Sequence, residues 1–318
     1  MLSSNQRSTT FVRYVNDMLN VAWFTGFVRK PANGKFYVQQ TNNLDLAVPI
    51  TVDSSVRLPR EYSTVEVTAH VYAEKDPETG MRNAVFKAIR IGPASPLSMP
   101  QSVAWNAPRP EGLSEEDFKP FGRDGALRPE LSSDLQESAE SIVASVLDAT
   151  SDRLGANANR VMLAGVLEGA AFIPAKKTER NGYIGILLRQ HKEADRSIPV
   201  RIYTNTPQKF LSNVSVGGAI KVIGQGRIKL NLEDPDEQGK PPKIVSRLNY
   251  VRADGLLIVD REVDIKGIPA WWPEMVKRRA AEEAERKAAA RMRAAEATAQ
   301  AAQKTAQASV SIEVDHSL

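Results

Sequence analysis

The sequence predicts an all-β core in which one five-strand unit occurs twice, and three observations carry that prediction. Segments 18–92 and 157–259 alternate apolar and polar residues with the period of strands. Their features recur in the same order. Between them lies a proline-rich stretch that can hold neither helix nor central strand.

The repeat is read strand by strand. Each unit opens on an asparagine and runs through a glycine, NVAWFTGFV at 20–28 and NRVMLAGVL at 159–167. A glycine-containing turn leads into NGKFYVQQ at 33–40 and NGYIGILL at 181–188, Asn-Gly being the strongest short hairpin signal. Proline-led strands follow, PITVDS at 49–54 and PVRIYT at 199–204, then the alternating TVEVTAHVYAEK at 64–75 and AIKVIGQGRIK at 219–229. Acidic turns, DPETG at 76–80 and DPDEQG at 234–239, precede the closing strands NAVFKAIRIG at 83–92 and KIVSRLNYVRA at 243–253. Shared features in one fixed order indicate an internal duplication. Thr206-Pro207 marks the start of a short helix between the third and fourth strands of the second unit. Five strands with a helix at that place is the order of an OB-fold barrel. Gly165, Gly224 and Gly226 fit its tight bends or ordinary strand ends.

The connecting elements complete the architecture: two tandem OB-fold five-stranded barrels, a Pro-rich linker with a helix, and a charged C-terminal α-helix. Residues 93–132 contain Pro93, Pro96, Pro100, Pro108, Pro110, Pro120 and Pro129. Ser133 and Gln136 have capping-box spacing, and Leu135, Ala139, Ile142, Val143, Val146 and Leu147 share one helical face, predicting a helix over 133–155. The division expected is 1–92, 93–132, 133–155, 156–262 and 263–318. From Glu274 to about Ala308 the chain is rich in Ala, Glu, Arg and Lys, with favourable i,i+4 pairs Glu282–Arg286 and Glu283–Lys287. Large apolar residues are too sparse for a coiled-coil seam, so a solvated helix is expected. It either offers Arg286, Lys287, Arg291 and Arg293 to a polyanion or is simply a soluble tail.

Charge is unevenly divided. Residues 1–150 hold 15 Lys and Arg against 18 Asp and Glu; the remainder holds 27 against 20. A polyanionic partner would therefore meet the second half, although the charge alone also suits a solvated basic surface. Cysteine is absent, which excludes disulfides and thiolate sites and fits a reducing compartment. No apolar run has signal-peptide or membrane-span length, so a cytoplasmic protein without membrane contact is expected.

The second unit resembles the bacterial, phage and plasmid single-stranded DNA-binding protein family over residues 157–257. The resemblance is carried by NRVMLAG at 159–165, IPVRIYTNTPQKF at 198–210 and VGGAIKVIGQGRIK at 216–229. It implies an OB fold that binds single strands with little sequence preference, in replication, recombination or maintenance of a mobile element. A homo-oligomer, and replication or recombination proteins as further partners, are expected. The family's strand-three tryptophan would fall near Ser197, and its acidic tip is replaced by SIEVDHSL, so recruitment through that tip is not carried over. An adaptor whose barrels bind other proteins, and an RNA binder, are the alternatives.

Single-strand binding calls for a basic groove and rings on which bases stack. In PVRIYT, Val200 and Ile202 share one face and Arg201 and Tyr203 the other. Tyr203 takes the place of the family's stacking aromatic. Lys221, Arg227 and Lys229 on the fourth strand, and Lys243, Arg247, Tyr250 and Arg252 on the fifth, add charge and a ring. The RQHKEADR hairpin adds Arg189, Lys192 and Arg196, with His191 incidental.

The first unit has Thr51, Asp53, Glu66 and Glu74 where the second has Arg201, Tyr203, Lys221 and Lys229, so it should not bind phosphates in the same way. It keeps Trp23, Phe24, Phe36, Tyr37, Tyr72 and Phe86, about half of which are expected simply to fill its core. It is expected to serve as an interaction domain or weak auxiliary binder. Three scattered histidines and the lack of phosphate-loop, GxSxG or HExxH motifs argue against an enzyme, and no cofactor is expected. DPDEQG has Asp234, Asp236 and Gln238 at alternate positions but Val245 at the twelfth, which reads as a hairpin turn and not a calcium loop.

Overall fold

Strand alternation translates directly into paired strands. The computed structural model describes residues 19–77, 80–94, 133–149, 158–175, 181–191, 196–214, 216–233, 243–258 and 271–314. The first unit contains β1 (Asn20–Ala32), β2 (Lys35–Gln39), β3 (Val48–Thr51), β4 (Thr64–Lys75) and β5 (Arg82–Pro93). The second contains β6 (Asn159–Ile173), β7 (Tyr183–Arg189), β8 (Ile198–Ile202), β9 (Ala219–Glu233) and β10 (Lys243–Ile258). Helix α1 (Ser133–Ala149) falls between the units, α2 (Pro207–Asn213) between β8 and β9, and α3 (Trp271–Val314) at the end. The core is all-β and OB-like.

In each unit the pairing returns to its start. β1 pairs with β2, β2 with β3, β3 in parallel with β5, β5 with β4, and β4 with β1. The second unit repeats the circuit as β6, β7, β8, β10, β9 and back to β6. Closure depends on the length of the first strand. β1 pairs with β4 over Ala22–Phe27 and with β2 from Phe27 onward, so one strand serves two neighbours. Asn33 and Gly34, at φ 50° and 69°, form the two-residue turn of the first hairpin, as its Asn-Gly signal predicts. Thr206 and Pro207 start α2 as the sequence indicates, although Thr206 makes no side-chain capping bond. No helix occupies the corresponding residues 52–63 of the first unit.

The two circuits meet along their first strands. β1 and β6 pair antiparallel from Asn20↔Leu163 to Phe24↔Asn159, with Ala22 opposite Val161. Aligning the repeats on their opening asparagines places Ala22 on Val161, so this ladder is self-complementary. It is like a two-fold interface between identical subunits, but within one chain.

Its polar contacts are duplicated accordingly. Asn159 donates through Nδ2 to Gly226 O (2.8 Å) and Gln40 Oε1 (2.9 Å), and its Oδ1 accepts from the Gly226 N–H (2.8 Å). Gln40 Nε2 in turn donates to Thr25 O (3.0 Å) and to Ala158 O. On the other side Asn20 Nδ2 donates to Val71 O (2.8 Å) and Gln190 Oε1 (2.7 Å), and its Oδ1 accepts from the Val71 N–H (2.7 Å). Gln190 Nε2 donates to Ala164 O (2.7 Å) and Leu19 O (3.1 Å). The asparagine that opens each repeat is thus a main-chain clamp that extends a ladder with its side chain.

One hydrophobic core runs through both circuits, including Phe24, Phe36 and Phe86 from the first and Leu163, Ile184, Ile186, Val222 and Val251 from the second. Burying a side chain of this size contributes about 1.5–3 kcal/mol. Phe24 and Phe86 meet edge to face at 4.9 Å. They fit because the residue facing them is Gly226, whose added Cβ would lie 2.9 Å from Phe86 and 3.0 Å from Phe24. Gly224 permits close backbone approach instead, since a Cβ there would sit 2.0 Å from Arg252 O.

Helix α1 buries the predicted face: Ile142, Val143, Val146 and Leu147 cluster with Phe27 and Ala158, and Ala139 is buried with them. Glu140 holds Arg29 at 2.9 Å, and Asn42 donates to Asp148 at 2.7 Å, so α1 is tied to the first circuit by polar as well as apolar contact. The predicted linker from residue 95, the helix end beyond 149 and the DPDEQG turn lie outside the described residues. Helix α3 forms a unit of its own. Its Arg286, Lys287, Arg291 and Arg293 are exposed, and Arg278 and Glu282 form an i,i+4 pair at 3.5 Å.

Candidate nucleic-acid interface

The alternation of β8 buries Ile198, Val200 and Ile202 in the core and turns Arg201 to the opposite side. Register then decides what Arg201 meets. β7 places Gly185 beside it, and β10 runs parallel with Arg252 level with it and Tyr250 two residues earlier. The Arg201 guanidinium lies 4.6 Å from the centre of the Tyr183 ring and 3.9 Å from that of Tyr250. It is held between two aromatic rings, a cation–π arrangement that fixes its plane. Tyr203, one residue beyond β8, stands beside Tyr183 with ring centres 5.8 Å apart. It is 44% exposed, whereas Arg201 is 6% exposed.

The arrangement has a clear chemical capacity. Tyr203 and the half-buried Tyr183 offer ring faces to a flat apolar partner. Arg201 supplies fixed positive charge beside them, and Arg227 lies opposite Tyr250 on β9. Burial, reinforced by the neighbouring Tyr203 hydroxyl, pushes the Tyr250 phenol up to about 12, against the opposing pull of Arg201 and Arg227. A folded-state pKa above the unfolded value near 10 gives stability that is fully present below pH ~10 and is lost as pH rises through about 12. Tyr250→Phe should therefore flatten the fall in melting temperature across that interval, measured by circular dichroism.

The other predicted residues are distributed unevenly. Lys221, Arg227 and Lys229 are half-buried on β9, and Arg227 donates to Gln225 Oε1 at 2.5 Å. Lys243 is exposed at the start of β10, Arg252 pairs with Asp254 at 3.1 Å, and Arg247 pairs with Asp45 of the first circuit. Arg196 is exposed just before β8. Lys192 lies outside the described residues. Arg189 differs from the expectation of a phosphate contact: it is 4% exposed, faces the buried Glu168 at 4.0 Å, and donates through Nε to His191 O at 2.8 Å. Glu168 also accepts from the Ser197 hydroxyl. A buried carboxylate requires a buried countercharge, and that requirement turns Arg189 inward.

Tyr183 is the residue that sequence reasoning missed. Its signal lies in the hairpin: Ile184, Ile186 and Leu188 are buried, so Tyr183 has the outward phase, and extending the β7–β8 register brings it level with Tyr203.

The first circuit lacks this constellation. The strand registers place Thr51 where Arg201 stands, Asp53 for Tyr203, Val85 for Tyr250 and Tyr72 for Arg227. Asp53 engages Lys87 at 2.6 Å, and that bond raises the Lys87 pKa. Of the six aromatic residues singled out there, Phe24, Phe36 and Phe86 are core, Trp23 and Tyr37 are half-buried, and Tyr72 is exposed.

Among the described residues no cluster of His, Asp or Glu could hold a metal ion, and no helix is long and apolar enough to cross a membrane. No protein-family model matches the sequence, and no curated protein matches it. Among solved structures, the chain is similar to the single-stranded DNA-binding protein from Thermus aquaticus, at 10% identity over 78% of this chain and 96% of that one, with a TM-score of 0.39. It is also similar to fission yeast Pot1 crystallised with single-stranded DNA, at 9% identity over 86% and 97%, with a TM-score of 0.19. Likeness at this level says nothing about function, which rests on the residues described above.

Proposed function

We propose that this chain is a non-catalytic binder of single-stranded DNA in which each circuit is an OB barrel and the second barrel holds the strand. The observation that supports this reading is the Arg201 guanidinium held between Tyr183 and Tyr250 beside the exposed Tyr203. Bases stack on such rings without regard to sequence, while the cations of β9 and β10 accompany the backbone. The role is handling of single strands in replication, recombination or maintenance of a mobile element. The first barrel contributes the paired seam and not an equivalent binding face.

Fluorescence anisotropy with an oligo-dT tests the reading. Tyr203→Ala should weaken binding by about 5- to 150-fold, the equivalent of about 1–3 kcal/mol for one stacked base. Asp53→Ala, at the corresponding place in the first circuit, should leave affinity unchanged. Equal affinity for duplex, or no effect of Tyr203→Ala, would contradict the proposal. Preference for oligo-U over oligo-dT would assign the surface to RNA.

A further inference from the structure

The pairing of β1 with β6 joins the two circuits into a continuous antiparallel sheet, β5-β4-β1-β6-β9-β10. One cross-strand row of this sheet reads Arg90, Thr68, Trp23, Arg160, Gln225 and Arg252, with the β6–β9 ladder carried one residue past Val161↔Gly224. Along β1 and β6 its neighbours Ala22, Phe24 and Val161 are core residues, so the row points away from the core. Trp23 is half-buried, while Arg90 and Arg160 are exposed. Neither arginine has a carboxylate partner among the described residues. The row does not stop at Arg252: the parallel β8–β10 pairing places Arg201 level with it.

We propose that a bound single strand continues from Tyr203 and Arg201 round the second circuit along this row, and that Trp23 with Arg160 forms a second base-stacking station at the seam. This rests on the reading of Tyr203 as a stacking site. Four strand spacings separate β8 from β1, roughly 19 Å along the sheet. A nucleic-acid strand long enough to cover that distance meets Arg252, then Arg160, then Trp23, with Arg90 beyond it. Cross-strand neighbours lie within reach of one nucleotide, so Trp23 can take a ring face while Arg160 meets the adjoining phosphate. Exposed arginines without carboxylate partners among the described residues favour a polyanion over a second copy of the chain, whose own Arg90 and Arg160 would be brought against this face.

The test compares oligo-dT of about 8 and about 30 nucleotides, within and beyond the site size of one OB fold, on the full chain. Arg90→Ala/Arg160→Ala should leave the short oligomer unaffected, weaken the long one about 10-fold, and lower its salt slope by about 1.4, as loss of two phosphate contacts requires. Both substitutions are at exposed positions and spare the core. In a chain with Trp105→Phe, Trp271→Phe and Trp272→Phe, fluorescence of Trp23 should be quenched by the long oligomer and not by the short one. Unchanged long-oligomer affinity and slope, or an unquenched Trp23, overturns the proposal. So does a change in molar mass by light scattering on Arg90→Ala/Arg160→Ala with DNA binding intact, which would make the face an interface between copies. Failure of Tyr203→Ala to weaken the short oligomer counts instead against the proposed function.

Discussion

Asn159→Leu should destabilise the folded protein by about 3–5 kcal/mol in urea titrations, the sum expected when several buried hydrogen-bonding groups lose one partner together. The substitution keeps side-chain size but removes three hydrogen bonds at a position that is 9% exposed. It leaves the Gly226 N–H and C=O and the Gln40 Oε1 without their partner, and each buried polar group so orphaned costs about 1–3 kcal/mol. Asn20→Leu removes the mirror-related clamp, but Asn20 is half-buried and water can replace part of what is lost. Its cost should be about 1–2 kcal/mol. Equal effects of the two substitutions would show that burial does not distinguish the clamps. A loss below about 1 kcal/mol for Asn159→Leu, no more than one ordinary hydrogen bond, would mean that the seam's polar contacts contribute little to stability.

The second large effect concerns binding. Giving the second circuit the residues of the first, as Arg201→Thr, Lys221→Glu, Arg227→Tyr and Lys229→Glu, should weaken oligo-dT binding by at least about 10³-fold at moderate salt. Four cations are lost and two carboxylates gained, and the salt slope should fall by about 2.1 for the three cations of β9 alone, Arg201 being covered by its two rings. Arg201 contributes beyond its charge, because its loss releases Tyr183 and Tyr250 from the cation they share. Circular dichroism separates this effect from unfolding. An unchanged slope would mean that these residues do not meet phosphates.

Much of the fold is legible in the sequence because side-chain alternation records which face of a strand is buried. TVEVTAHVYAEK becomes β4 without change of boundary, and the apolar face of α1 is buried as expected from Ala139 to Leu147. The seam is not legible. β1 and β6 meet edge to edge through main-chain groups, which leave no side-chain pattern, and only the opening asparagines Asn20 and Asn159 hint at it. The site is legible in part. Alternation sends Arg201 outward, but the rings that cover it come from Tyr183 and Tyr250 on two other strands, so its burial depends on register. Arg189 is misread for the same reason: the carboxylate that draws it inward, Glu168, is contributed by β6.

Photo-crosslinking of an oligo-dT carrying 5-iodouracil, followed by peptide mass spectrometry, tests the assignment of DNA binding to the second barrel most directly. Crosslinks are expected at Tyr203 and Tyr183, abolished by excess unlabelled single strand and not by duplex. Crosslinks confined to Tyr37 and Tyr72 of the first circuit would contradict it.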